Sequence, residues 1–426
     1  MNNISHDNLA VADGSNLPGV YPPGVRWDID IPDTETPLRM VEKAIRTYPD
    51  KIAMSFMGRT VTYREFGSWI DRAAASLSAS GAGRGTKVGI FMPNTPYYPV
   101  FFYAAQRIGS TVVNYSLAHK NKAPLQEQIQ SSDTTTMVTL DLKDFLTPVD
   151  ELLQEGVLKH VIRCPFVDML PDKKAKPFKL LNSLPAPILS FLLSVMNLIP
   201  PVRHKADDFK KLKEKLAETP PASEKTTTSF SIKAQTTINP ISFVGPKGDD
   251  IAVLQYTSGS SGGPKGAVLT HFNLAANSMQ VSEFFKAPSE KNPDEKLLEP
   301  GQERAMAAIP LSHIFGETVL MSAYMAGGCE LILQADPRNV GETLELLSER
   351  QATAYPAAPR LLTMITEDPH RQRHDLSGLK TVIAGSEKLP GSTRLNLPEL
   401  EISEGYGQTE ASPVISCNLQ GRFNKP

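Results

Sequence analysis

The sequence predicts an α/β protein built on parallel sheets. In two segments, residues 36–149 and 248–426, short apolar runs alternate with stretches of helical periodicity. This alternation is typical of units in which a helix connects two parallel strands. A chain of 426 residues is long enough to form two or more subdomains with a large buried core.

The first segment supports this prediction element by element. Residues 38–45 have the spacing of an amphipathic helix, and residues 87–92 form an apolar run that Pro93 ends. A second helix is predicted over 98–108, followed by a strand over 111–114. The expected order is therefore helix, strand, helix, strand.

The second segment repeats the pattern. Residues 251–256 are apolar and β-prone, residues 340–349 have helical spacing, and residues 379–383 are typical of a buried strand. Residues 1–35 are rich in Pro, Asp and Gly, and are predicted to form an irregular N-terminal lead.

Residues 150–247 differ from both segments. An apolar stretch with basic residues on both sides occupies residues 178–215. Its uninterrupted part, residues 188–199, is shorter than the roughly 20 residues that a membrane-spanning helix needs. Two interpretations stay open: peripheral contact with a membrane surface, or a helix buried against the body of the protein. Residues 216–247 are rich in Thr, Ser, Lys and Pro, and are predicted to form a flexible connector.

Composition excludes several functional classes. Lys and Arg total 44 against 46 Asp and Glu, so no basic excess indicates a nucleic-acid partner. Cys164, Cys329 and Cys417 are odd in number and widely spaced, which argues against a disulfide framework or a zinc cluster. The first residues lack the features of a secretory signal, so a cytoplasmic location is expected, with a peripheral position at the inner face of a membrane as the alternative.

The most informative stretch lies between Tyr256 and Gly266 and reads Tyr-Thr-Ser-Gly-Ser-Ser-Gly-Gly-Pro-Lys-Gly. Glycines allow successive backbone N–H groups to converge, hydroxyls add donors, and the lysine supplies a positive charge. We therefore predict a phosphate-binding loop that follows a strand. Pro264 and Gly266 depart from the phosphate loop of nucleotide triphosphatases, Gly-x-x-x-x-Gly-Lys-Ser/Thr. A flexible Ser/Gly linker is the alternative.

This stretch resembles the phosphate loop of the adenylate-forming acyl-CoA synthetase superfamily. Three further segments match that superfamily in the same order: residues 308–316 (Ala-Ile-Pro-Leu-Ser-His-Ile-Phe-Gly), 384–390 (Ala-Gly-Ser-Glu-Lys-Leu-Pro) and 404–410 (Glu-Gly-Tyr-Gly-Gln-Thr-Glu). The resemblance covers most of residues 36–426 and is greatest to long-chain fatty-acid CoA ligases. It implies the two α/β subdomains of the N-terminal domain of these enzymes.

The resemblance also implies roles for individual residues. The phosphates of ATP would be bound by Thr257, Ser258, Gly259, Ser260, Ser261, Gly262 and Lys265. The rest of the nucleotide would be contacted by Gly385, Ser386, Glu404, Gly405, Tyr406, Gly407, Gln408 and Thr409. Within that set, Tyr406 would stack on adenine and Thr409 would contact the α-phosphate. Glu410 would hold Mg²⁺, since a carboxylate is a hard oxygen ligand.

Two further roles concern the acyl group. By resemblance, His313 would orient the fatty-acid carboxylate, and residues 354–359 would border the acyl pocket. The residues themselves leave alternatives open. His313 fits a core histidine, Tyr406 a core tyrosine, Glu410 a solvated surface residue, and the alanines at 354–358 ordinary core packing.

The implied activity is that of a long-chain fatty-acid CoA ligase. Its cofactors would be ATP and Mg²⁺, and coenzyme A would be a co-substrate. The sequence ends at Pro426, before the β-barrel and the C-terminal lid domain of the superfamily, so we expect a truncated chain with little thioester formation of its own. Two alternatives are a fatty-acyl-AMP ligase that passes its acyl group to a carrier protein, and a non-catalytic remnant that binds nucleotide or lipid.

Overall fold

The structure is a computed structural model. It describes residues 22, 24–26, 28–117, 122–174, 227–233, 245–257, 265–289, 292 and 294–418. The apolar stretch with basic flanks, residues 178–215, lies outside the described residues. So do Ser258, Gly259, Ser260, Ser261 and Gly262 of the predicted phosphate loop.

Fifteen strands are found within the described residues. They are β1 (Ile52–Phe56), β2 (Arg59–Thr62), β3 (Lys87–Phe91), β4 (Thr111–Asn114), β5 (Thr136–Leu140), β6 (His160–Cys164), β7 (Thr227–Ser229), β8 (Ile251–Thr257), β9 (Lys265–Thr270), β10 (Arg304–Ala307), β11 (Glu330–Leu333), β12 (Ala354–Ala357), β13 (Thr381–Gly385), β14 (Ile402–Gly407) and β15 (Val414–Asn418).

The helices of the described part cover the sheets. They are α1 (Pro37–Thr47), α2 (Tyr63–Ala79), α3 (Tyr97–Arg107), α4 (Lys122–Ser132), α5 (Lys143–Gln154), α6 (His271–Phe284), α7 (Val340–Glu349), α8 (Pro359–Glu367) and α9 (Gly391–Leu395). A π-helix spans Gly316–Tyr324. Short 3₁₀ turns lie at Phe166–Met169, Arg371–Arg373 and Thr409–Ala411.

The strands form two sheets. An eight-stranded sheet has the order β15-β14-β13-β12-β10-β11-β1-β2, and a seven-stranded sheet has the order β7-β6-β5-β3-β4-β8-β9. The pairs β1–β2, β14–β15 and β8–β9 are antiparallel, and all other pairs are parallel. The predicted α/β class with two subdomains is confirmed.

The sheets do not follow the two sequence segments. The eight-stranded sheet takes β1 and β2 from the first segment, and the seven-stranded sheet takes β8 and β9 from the second. Local periodicity indicates that a strand forms, but the choice of sheet depends on long-range pairing that periodicity does not contain. The two sheets share one large hydrophobic core.

Helix starts follow local chemistry. Thr62 accepts a hydrogen bond from the backbone N–H of Glu65, whose side chain accepts from the N–H of Thr62, and this reciprocal pair begins α2. Thr270 and Asn273 form the same arrangement at the start of α6. As a result, α6 begins directly at the end of β9. This places one side of the helix beside the hairpin of β8 and β9, whose strands flank the predicted phosphate loop.

A buried asparagine connects the two sheets. Asn94 follows β3 of the seven-stranded sheet and is 4% exposed. Its Nδ2 donates to the carbonyl oxygens of Ala307 and Ile309, both at 2.8 Å, and its Oδ1 accepts from the N–H of Leu311 at 2.8 Å. Those three residues belong to the linking segment, residues 307–317, which leaves β10 of the other sheet. One amide therefore satisfies three backbone groups of the linking segment.

A second buried contact lies further along the linking segment. Asn114, at the end of β4, donates from Nδ2 to Gln255 Oε1 at 2.9 Å and to Glu317 Oε2 at 2.7 Å. Glu317 is fully buried, and its Oε1 finds no partner within the described residues. Burial raises the pKa of Glu317 to about 8, although the Asn114 hydrogen bond lowers it in part. At neutral pH this carboxyl group is therefore mostly protonated.

Replacing Asn94 with Ala is expected to destabilise the protein by about 3 kcal/mol, because three buried backbone groups lose their partner together. The measurement is urea denaturation followed by circular dichroism. The matched control is Asn396→Ala, at an exposed position after α9, which should change the stability by less than about 0.5 kcal/mol. Equal effects of the two substitutions would contradict the structural role of Asn94.

Replacing Glu317 with Gln is expected to stabilise the protein more at pH 8 than at pH 5. The folded-state pKa of Glu317 is about 8, whereas an unfolded chain has an ordinary glutamate pKa of about 4.3. Between those values only the unfolded state releases the proton, so the contribution of Glu317 to stability is lost as pH rises. The gain of the variant at pH 8 should exceed its gain at pH 5 by on the order of 3 kcal/mol.

Denaturant unfolding of both proteins at pH 5, 6, 7 and 8 measures this difference. The control is Glu349→Gln, at the exposed end of α7. A stability difference between the Glu317 variant and the parent protein that does not change with pH would show that the carboxyl group is ionised in the folded state.

Candidate active site

One cavity brings the sequence-predicted site residues together. Its volume is about 1130 Å³, and it lies where the carboxyl ends of β13 and β14 meet the β8–β9 hairpin and the linking segment. Ligand sites in α/β proteins commonly lie beyond the carboxyl ends of parallel strands. The predicted residues that line it are Thr257, Lys265, His313, Gly385, Ser386, Gly405, Tyr406, Gly407, Gln408, Thr409 and Glu410.

Thr257 at the end of β8 and Lys265 at the start of β9, which flank the predicted phosphate loop, line the cavity. Thr257 and Lys265 are opposite each other in the antiparallel register, and Thr257 Oγ1 donates to the Lys265 carbonyl oxygen at 3.4 Å. Lys265 is exposed at the cavity wall. The loop thus connects two strands, whereas the phosphate loop of nucleotide triphosphatases leads from a strand into a helix. The strands on both sides of the loop thus differ from the arrangement in that class.

A second group of predicted nucleotide-contacting residues begins where β13 and β14 end. Gly385 and Gly405 are neighbours in the parallel register. A Cβ atom at position 385 would lie 3.0 Å from the ring of Phe315, so glycine allows the aromatic ring of the linking segment to pack against this strand end. Ser386 has a φ of 82°, a left-handed conformation that is uncommon for residues other than glycine.

Tyr406 is 64% exposed and lines the cavity, so it is not a core tyrosine. Its ring is accessible for stacking against a planar base. The turn after it is tight, because a Cβ atom at position 407 would lie 2.2 Å from the carbonyl oxygen of Pro413. That carbonyl also accepts a hydrogen bond from the N–H of Gln408 at 3.0 Å. Glycine at 407 is therefore a steric requirement of this turn.

Thr409 and Glu410 form a 3₁₀ turn on the cavity wall. The carboxylate of Glu410 is exposed, and it forms no ion pair with any residue of the described part. Mg²⁺ in nucleotide sites is commonly bound by one or two carboxylates together with substrate phosphates. The carboxylate of Glu410, which lies near the β8–β9 hairpin, fits that requirement. No group of three or more His, Cys, Asp or Glu side chains with metal-binding geometry occurs among the described residues.

One predicted contact residue does not line the cavity. The Glu404 carboxylate pairs with Arg394 at 3.1 Å and accepts from the N–H of Leu389 at 3.2 Å. Arg394 belongs to α9 and Leu389 precedes that helix, so the carboxylate of Glu404 connects α9 to β14. The structure gives it a supporting position next to the site.

His313 lies in the linking segment with its ring exposed to the cavity. Its Nδ1 accepts a hydrogen bond from the N–H of Phe315 at 3.2 Å, so in the neutral ring the proton is on Nε2. Protein atoms around the cavity exclude water and lower the pKa of His313 below its usual value. At neutral pH the ring is therefore uncharged, and its one N–H donor has no partner among the residues that the structure describes.

The cavity also has an apolar wall. Val281, Phe284 and Phe285 come from the end of α6, and Val319 comes from the π-helix. The segment 354–359, which was expected to border the acyl pocket, is not part of this lining. Its first four residues form the fully buried strand β12 inside the sheet, so core packing accounts for those alanines.

Two parts of the cavity wall were missed from the sequence. Within residues 22–31, described residues including Val25, Ile29 and Ile31 line the cavity, although the sequence predicted only an irregular lead. Alternation of apolar residues at 25, 27, 29 and 31 was a usable signal for an extended, half-buried segment. Asn277, Val281 and Phe284 of α6 have the spacing of one helix face.

Asn277 joins the wall to the strand that follows the Thr409–Glu410 turn. Its Nδ2 donates to the carbonyl oxygen of Val414 at 2.8 Å, and its Oδ1 accepts from the N–H of Val414 at 3.0 Å. The hydroxyl of Thr318 donates to the carbonyl of Ser412 at 2.9 Å. The turn is thus fixed from two sides.

In the described part of the chain, no helix is both long and apolar enough to span a membrane.

Comparison with known proteins finds relatives that match most of this chain. The long-chain-fatty-acid–CoA ligase of Bacillus subtilis is 27% identical over 414 residues, which are 95% of this chain and 65% of that protein. An anthranilate CoA ligase solved with anthranoyl-AMP has a TM-score of 0.67 at 16% identity, over 92% of this chain and 63% of that chain.

A long-chain-fatty-acid-CoA ligase from Archaeoglobus fulgidus has a TM-score of 0.63 at 18% identity, over 93% of this chain and 69% of that chain. At these identities the structural matches show the fold. The chain spans about 65% of the length of the curated relatives that it matches. The model of the AMP-binding enzyme family matches residues 41–426, and the chain belongs to this family of adenylate-forming enzymes.

Proposed function

We propose that this chain is the nucleotide- and acyl-binding part of a long-chain fatty-acid CoA ligase. The observation that carries the proposal is the shared cavity, in which Lys265 and Tyr406 lie on the same continuous surface as His313 and an apolar wall. A nucleotide and an alkyl carboxylate therefore fit side by side. Each methylene buried against the apolar wall would contribute about 0.8 kcal/mol.

The proposed first reaction joins the two ligands. A carboxylate oxygen of the fatty acid forms a bond to the α-phosphorus of ATP, and the bond from that phosphorus to the bridging oxygen breaks. The electron pair leaves with pyrophosphate, so the products are an acyl-adenylate and pyrophosphate. Such a displacement depends on positioning and charge neutralisation.

The proposed residue roles follow from position and charge. Lys265 and Thr257, with residues 258–262 between them, would bind the β- and γ-phosphates, and Thr409 would contact the α-phosphate. Tyr406 would stack on adenine, beside the strand ends at Gly385 and Gly405. Glu410 would hold Mg²⁺, which neutralises charge on the phosphates. Together they would bring the α-phosphorus to the acyl end of the cavity.

The neutral ring of His313 would act as a hydrogen-bond donor. The N–H at Nε2 can bind one carboxylate oxygen and leave the other oxygen free to attack. A fatty acid is already ionised at neutral pH, so no general base is required. An uncharged ring also forms no ion pair with the carboxylate, so one hydrogen bond orients the nucleophile without a full opposite charge beside it.

The second reaction is a further proposal, because the matched relatives extend over more residues than this chain. In it, the thiolate of coenzyme A would attack the acyl carbonyl, and AMP would leave. One alternative is transfer to a carrier protein, which the yield of thioester with coenzyme A against that with a carrier protein separates. The other is binding of nucleotide or lipid without turnover, which the pyrophosphate exchange below separates. We also propose that the protein is cytoplasmic and that residues 178–215 contact a membrane surface peripherally.

Replacing Lys265 with Ala is expected to lower the palmitate-dependent exchange of pyrophosphate into ATP by about 10²-fold or more, because one fixed donor to the developing charge is removed. The exchange reports the first reaction alone and requires no coenzyme A. The matched control is Lys159→Ala, at an exposed position before β6. Similar exchange by the Lys265 variant and the control would contradict the phosphate-binding role.

Replacing His313 with Ala is expected to raise the KM for palmitate and leave the KM for ATP within about threefold, since the ring contacts only the acyl ligand. The pH profile gives a second measurement. The lowered pKa of His313 places any loss of exchange from ring protonation below pH 6.5. An equal rise of both KM values, or an acid limb above pH 7 that disappears in the variant, would contradict this role.

A further inference from the structure

A set of buried polar side chains connects the strand that leads to the phosphate loop with the segment that carries His313. Its members are Gln255 of β8, Asn114 of β4, Glu317 of the linking segment and Tyr98 of α3, and each is at most 5% exposed. Tyr98 donates its hydroxyl to Asn114 Oδ1 at 2.6 Å, which fixes the orientation of that amide. Breaking one hydrogen bond here leaves a buried group unsatisfied.

The set binds the backbone on both sides of His313. Gln255 Nε2 donates to the carbonyl oxygen of Ser312 at 2.9 Å, and its Oε1 accepts from Asn114 at 2.9 Å. On the other side, the carbonyl of His313 accepts from the N–H of Glu317 at 2.9 Å, and the Glu317 side chain accepts from Asn114. The side-chain amides of Gln255 and Asn114 therefore fix the position of the backbone from which the His313 imidazole extends.

The same set is anchored at the phosphate loop. Gln255 lies two residues before Thr257 in one strand, and Thr257 lines the cavity. Residues two apart in a strand point to the same face, about 6.6 Å apart along the strand. The strand β8 thus joins Gln255, whose side chain binds the carbonyl of Ser312, to Thr257, the last residue before the phosphate loop.

We propose that Gln255 is a positioning residue, which fixes His313 relative to the phosphate-binding end of β8 through the carbonyl of Ser312 and through Asn114. This inference rests on the proposed function, because it assigns Gln255 to a site where nucleotide and acyl group meet. Gln255 acts through His313 and does not line the cavity itself. Small displacements of a positioning group are costly, since about 1 Å can reduce a rate by 10²-fold.

Ligand binding separates this role from ordinary packing. The probes are AMP and 5′-O-(N-palmitoylsulfamoyl)adenosine, a stable mimic of palmitoyl-adenylate, and the measurement is isothermal titration calorimetry on the 426-residue chain. The variants are Gln255→Leu, which keeps the volume and removes both hydrogen bonds, His313→Ala, and the double variant. The control is Gln106→Leu, at a buried amide of α3 that has no side-chain partner in the described part.

We expect Gln255→Leu to weaken binding of the palmitoyl probe about tenfold and binding of AMP less than about threefold. In the His313→Ala background, the same substitution should weaken the palmitoyl probe by less than about threefold, because a residue that acts through His313 has no further effect once the imidazole is gone. Gln106→Leu should leave both affinities unchanged. Gln255→Glu, which loses the donor to Ser312, should show the same selectivity and replaces the leucine variant if that variant is recovered unfolded.

Two results would overturn the inference and leave the proposed function intact: equal weakening of both probes, or losses that add in the double variant. Either would assign Gln255 a stabilising role only. If the unsubstituted chain bound AMP and the palmitoyl probe equally well, or bound neither, the proposed function would fail and this inference with it.

Discussion

Three hydrogen bonds from the buried amide of Asn94 fix the linking segment against the seven-stranded sheet, although that segment leaves a strand of the other sheet. The candidate site depends on this constraint, because the two sheets contribute different parts of it. The hairpin with Lys265 belongs to the seven-stranded sheet, and Tyr406 follows a strand of the eight-stranded sheet. His313 lies between them, in the segment that Asn94 holds.

The lining of the cavity has two chemical parts, and His313 lines the same cavity. One part is a cation, hydroxyls and backbone turns around Lys265 and Thr409, which suit phosphates. The other part is the apolar residues at the end of α6 and in the π-helix, which suit an alkyl chain. The π-helix is uncommon in proteins and is often found at functional sites. Here it directs Val319 to the cavity and keeps Glu317 buried.

Much of the fold and part of the site could be predicted from the sequence. The strand at 111–114 and the helix at 340–349 coincide with observed elements, because their periodicity agrees with their burial. Sheet membership could not be predicted, since pairing of β1 with β11 joins residues almost 280 positions apart. The family segments placed eleven residues on one cavity, yet they gave no sign that the Glu404 carboxylate turns toward Arg394. Nor did they indicate the buried contacts of Asn114 and Gln255, which depend on the register of β4 and β8.

The central claim is that one cavity holds the nucleotide and the acyl chain together, with His313 at their junction. A crystal structure of the chain with 5′-O-(N-palmitoylsulfamoyl)adenosine tests it most directly. The account predicts adenine against the ring of Tyr406, the acyl carbonyl within hydrogen-bond distance of His313 Nε2, and the alkyl chain along Val281 and Phe284. An analogue bound with its alkyl chain outside this cavity, or with adenine far from Tyr406, would contradict the account.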